Sequence, residues 1–78
     1  MNIEKILRAL FAIIDLIHDA NIVEWIDFAE SNVDFFLADF TDEEKMEIAY
    51  KLQSLNLELG SRQWWRRFYL CRKIHDLI

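Results

Sequence analysis

Proline is absent from this chain and glycine occurs once, at Gly60. A β-sandwich or α/β fold of 78 residues needs several tight turns, and those turns are built with glycine and proline. A chain nearly free of both is predicted to be all-α, a single domain forming a compact bundle of four to five short helices with short polar connections. At this length one core only marginally offsets chain entropy. The composition answers with apolar content, 54% hydrophobic and 14% aromatic, and not with disulfides, because Cys71 is alone. A lone cysteine fits a reducing compartment, so a cytoplasmic location is expected. So high an apolar fraction also implies either an aromatic core or a surface closed by a second copy in a homodimer.

Residues 6–17 are strongly apolar, but Arg8 and Asp15 interrupt them. About 12 residues of helix reach only ~18 Å, short of a bilayer core, and no small-residue cleavage site follows. The segment reads as a buried core helix, with no membrane partner expected.

Helical periodicity predicts a first helix over 2–19 that is apolar around most of its circumference, with Glu4, Arg8, Asp15 and Asp19 on one polar stripe. Phe11 falls inside that stripe. Either another helix of the domain covers it, or it is a contact with a second chain. Capping signals then restart the chain. Asn21 with Glu24, and Ser31 with Asp34, are approximate; Thr41 with Glu44 is the strict form, backed by Asp42 and Glu43. These signals predict helices over 22–30 and 32–39, which could be one bent helix, and over 42–55. The alternation Leu55, Leu57, Leu59 is read as a helix end that stops at Gly60, the residue suited to a left-handed C-terminal cap. Ser61 should cap a last helix running to residue 78.

The charge is unevenly placed. Residues 1–60 carry 13 acids and 4 bases, a net of −9, whereas residues 61–78 carry 5 bases and 1 acid, a net of +4. On the last helix, Trp64, Phe68, Cys71, His75 and Ile78 are taken as the core stripe, with Trp64 and Phe68 buried on the first helix near Leu10, Ile13, Ile14 or Ile17. Arg62, Trp65, Arg66, Tyr69, Arg72 and Lys73 then remain as a basic, aromatic partner-binding patch. Three uses compete for it: internal neutralisation of the acidic helices, binding of another protein, and binding of nucleic acid. The last is disfavoured by a net charge of −5 and a pI near 4.8. A second candidate surface is the acidic face Glu24, Asp27, Glu30 and Asp34.

Catalytic chemistry is not indicated. Cys71 and His75 are two potential ligands or one potential thiol–base pair, too few for a metal site and without a third member for a triad. A phosphate loop needs glycines that are missing, and no cofactor is expected. The function expected is therefore a non-enzymatic protein-binding module that associates stoichiometrically with a protein partner. Small acidic chains of this kind include the inhibitors that phages and mobile elements direct at host defence or nucleic-acid enzymes. A homodimeric adaptor, and nucleic-acid binding through the last helix, are the alternatives.

Overall fold

The computed structural model describes residues 2–19 and 21–78. It is an all-α bundle of four helices: α1 (Ile3–His18), α2 (Trp25–Phe36), α3 (Asp42–Gln53) and α4 (Arg62–Asp76). The radius of gyration, 11.7 Å, matches the ~11.5 Å expected of a compact chain this long. Apolar groups at the surface are therefore not the result of loose packing.

Three helix starts follow the capping chemistry. Asn2 accepts a hydrogen bond from the Lys5 N–H. Thr41 and Glu44 form a reciprocal capping box, and Ser61 accepts from the Trp64 N–H. The remaining start does not. Over 22–39, where the sequence left open two helices or one, the chain forms the single helix Trp25–Phe36. Asn21 is drawn instead into the turn after α1, where its N–H donates to the Asp19 carboxylate. Glu24 occupies the N-cap of α2 in the left-handed region (φ 54°) with no side-chain capping bond, and Ser31 lies inside the helix.

Two further boundaries are set by tertiary contacts. α3 ends at Gln53, well before Gly60, and Gly60 (φ 80°) serves the turn that leads into Ser61. The carbonyls of Gln53 and Leu55, left open at that end, accept hydrogen bonds from Arg67 of α4. Likewise the carbonyls of Ile17 and Asp19, at the C-terminus of α1, accept from Arg66. A guanidinium at a helix C-terminus satisfies open carbonyls and complements the negative end of the dipole.

The core joins Ile6, Leu10, Ile13 and Ile17 of α1 to Ala29 and Val33 of α2, Ile48 and Leu52 of α3, and Leu70, Cys71 and Ile74 of α4. This corrects the expected facing of α4. Phe68 is 52% exposed, Ile78 and His75 are exposed, and Trp64 is only half-buried. The inward arc runs through Arg66, Arg67, Leu70, Cys71, Ile74 and Leu77. The helix is rotated to bury branched aliphatics against the small Ala29, Val33 and Ala49, while Arg66 and Arg67 reach the carbonyls of the neighbouring helices. Wide rings at 64 and 68 would hold α4 away from those partners.

α1 also departs from one expectation. Among the described residues no helix covers Phe11, which is 60% exposed in line with Ile3 and Leu7. The internal explanation for its place on the polar stripe therefore fails. Among the described residues no helix is long and apolar enough to cross a membrane.

Candidate protein-interaction surface

The rotation of α4 divides the expected patch into two groups. Arg66, Tyr69 and Lys73 face α2 and are used by the fold. The Arg66 guanidinium lies 4.8 Å from the Trp25 ring centroid while bonding the end of α1. Desolvation, with repulsion from Arg62, lowers its pKa. Tyr69 meets Trp25 edge-on and donates its hydroxyl to Glu30, which, with burial, raises the phenol pKa. Lys73 pairs with Asp34 at 3.3 Å. Trp25 completes this seam by donating its indole N–H to the Leu16 carbonyl.

Arg62, Trp65 and Arg72 point outward. Neither arginine forms an ion pair or side-chain hydrogen bond among the described residues. Trp65 is 57% exposed and is joined by the two rings assigned to the core from sequence. Trp64 stacks on Phe68 (6.0 Å between centroids, 11° between planes), and Trp65 meets both edge-on, at 4.7 and 6.0 Å. The outward face of α4 is thus a ridge of three mutually packed rings between two unpaired guanidiniums. The missed signal was the spacing of Leu70, Ile74 and Leu77, a second aliphatic stripe on the same helix, equal in length to the aromatic one and better suited to burial.

The acidic face is divided in the same way. Glu30 and Asp34 serve the contacts with Tyr69 and Lys73. Glu24 and Asp27 are exposed. A groove of about 210 Å³ separates α2 from α4 and is lined by Glu30, Phe68, Tyr69, Arg72, Lys73 and Asp76. The larger groove, about 610 Å³, runs beside α1 toward Phe36 and Phe40. Its charged groups already have partners: Arg8 pairs with Glu4, and Lys5 pairs with Glu44, donates to the Asp39 carbonyl and sits over the Phe40 ring.

Cys71 and His75, one turn apart on α4, differ in burial. The thiol is buried, directed at the Ala49 carbonyl, and burial pushes its pKa up. A raised pKa keeps it protonated and poorly nucleophilic. His75 is exposed. Among the described residues no three His, Cys, Asp or Glu side chains come together in a way that could hold a metal ion. No protein-family model, no curated protein and no solved structure matches this chain.

Proposed function

We propose that this chain is a protein-binding module that associates stoichiometrically with a protein partner through the outward face of α4, acting as an inhibitor or regulator. The observation that carries the reading is the ridge of Trp64, Trp65 and Phe68. Three large rings pack on one another, yet Trp65 and Phe68 stay half in water and Trp64 is only partly covered, in a domain too small to leave apolar area idle. Tryptophan and arginine are the side chains most enriched among residues that dominate binding energy, and here they alternate around one ridge. The small acidic inhibitors of phages and mobile elements remain the class the composition suggests.

Nucleic-acid binding is the weaker reading. Of the six residues first taken as the patch, Arg66 and Lys73 are spent inside the fold. That leaves few cations for phosphates on a chain of net charge −5.

The test uses the whole chain as bait in extracts of its native host, with bound proteins identified by mass spectrometry. The reading expects a protein retained in fixed stoichiometry by the wild type and by Phe11→Ala. That protein should be lost by Trp65→Ala with Phe68→Ala, while the circular-dichroism melting curve of the double variant stays near the parent's. Retention by the double variant would remove α4 from the site.

A further inference from the structure

We propose that the partner of the α4 face is an acidic protein segment: a helix that lays an apolar stripe on Trp65 and Phe68 and sets one carboxylate against Arg62 and another against Arg72. The inference rests on the reading of that face as a protein-binding surface, and it gives the chemistry of what the face binds.

The chain has 14 acids for 9 bases, so a cation without a counterion is unexpected in it. Five of the bases pair with carboxylates. Arg66 and Arg67 bond the carbonyls at the ends of α1 and α3. Among the described residues, Arg62 and Arg72 are the two bases with neither an ion pair nor a side-chain hydrogen bond, and both flank the rings. Arg62 is also badly placed for the fold itself. It opens α4, whose first turn holds no acid, and a cation there opposes the positive end of the helix dipole. The Arg66 pKa is lowered by desolvation and then by repulsion from Arg62. A carboxylate brought from outside relieves both conflicts. Asp76 follows Arg72 by one turn, in the less favourable order for such a pair, and no pair forms. It lies beyond Arg72, outside the span of the rings. Glu30, beside them, is taken by Tyr69.

Arg62 and Arg72 are ten positions apart, ~15 Å along the helix axis, with the Trp64, Trp65 and Phe68 rings between them. The surface is therefore apolar in the middle and cationic at both ends. A guanidinium takes a carboxylate in a bidentate grip. On a helix laid along α4, residues about eleven apart are ~16 Å apart and share a face, and the residues four and seven on fill that face between them. Two acids at this spacing, with apolar side chains between, match the surface end to end. A nucleic acid matches it poorly. It offers phosphates along its whole length and finds two free cations on a chain of net charge −5.

Two synthetic helical peptides without aromatic residues test this. Both carry leucine at the two middle positions; one has glutamate at both ends of the stripe and the other has lysine. Binding to the full chain is read from its tryptophan emission, up to about 1 mM peptide. The wild type should prefer the glutamate peptide by about tenfold or more, and added salt should shrink the preference. Arg62→Glu with Arg72→Glu should prefer the lysine peptide, and Trp65→Ala with Phe68→Ala should bind neither. Circular dichroism checks each fold. If the charge reversal lowers the melting curve, Arg62→Gln with Arg72→Gln takes its place and should erase the preference. A wild type that binds neither peptide, or both equally, overturns the proposal. So does a preference that survives the arginine substitutions, or tighter binding to a short DNA duplex or to anionic lipid vesicles than to the glutamate peptide. Capture from host extract separates the two readings. If Trp65→Ala with Phe68→Ala loses the captured protein while Arg62→Gln with Arg72→Gln keeps it at full affinity, the acidic partner fails and the proposed function stands. If the ring variant keeps that protein, the proposed function fails.

Discussion

The two sides of α4 carry the same kinds of residue and use them differently. Arg66 and Arg62 are one turn apart, yet the first closes the carbonyl end of α1 and lies on Trp25, while the second has no ion pair or side-chain hydrogen bond among the described residues. Tyr69 and Phe68 are adjacent, yet the first is tied to Glu30 and Trp25 and the second stands half in water. The lesson is that a basic, aromatic composition does not mark a binding face. What marks it is the part of that composition left over after helix ends and acidic neighbours have been satisfied.

The comparison is tested hardest at the bottom of the inward arc. Leu70→Ala or Ile74→Ala removes a fully buried aliphatic group and should cost about 2–5 kcal/mol in urea denaturation, a large part of the stability of a domain this small. Phe68→Ala on the outward side should cost far less. Equal costs would erase the distinction between the arcs.

Arg66→Ala should cost about 1–3 kcal/mol, because carbonyls at the end of α1 lose a charged donor. Arg62→Ala should stay within about 0.5 kcal/mol. Ser61→Ala removes the cap that both arcs share and should cost ~1 kcal/mol.

A smaller effect is read from pH. The pKa of Tyr69 is raised above its ordinary value of 10.0 because its hydroxyl donates to Glu30. The folded state therefore favours the protonated phenol. Its contribution is complete below pH 10 and is lost as pH rises through the higher folded value. Alkaline titration of stability should show this loss in the wild type, and Tyr69→Phe should flatten it. The smallest effect on stability is expected from Trp65→Ala, within about 0.5 kcal/mol, although the same change should abolish partner capture.

Much of the fold was legible because it depends on local chemistry. The near absence of glycine and proline set the class. Thr41 with Glu44, and Ser61, marked two helix starts, since a side-chain oxygen three residues before an open N–H needs no distant partner. Asn21 misled because the Asp19 carboxylate engaged its N–H first, and Gly60 misled because Arg67, 14 residues beyond Gln53, closes the end of α3 in its place.

Of the candidate site, the sequence by itself located the helix, its charge and its excess of rings. It could not choose between two stripes on α4, because Trp64–Phe68 and Leu70–Ile74 have the same helical period and both are apolar. The tertiary structure made that choice. Three neighbouring helices offer α4 shallow alanine and valine surfaces and two open carbonyl ends, and only one rotation of the helix gives aliphatics to the former and arginines to the latter. The rings were left outside by that rotation, and the surface available to a partner is its consequence.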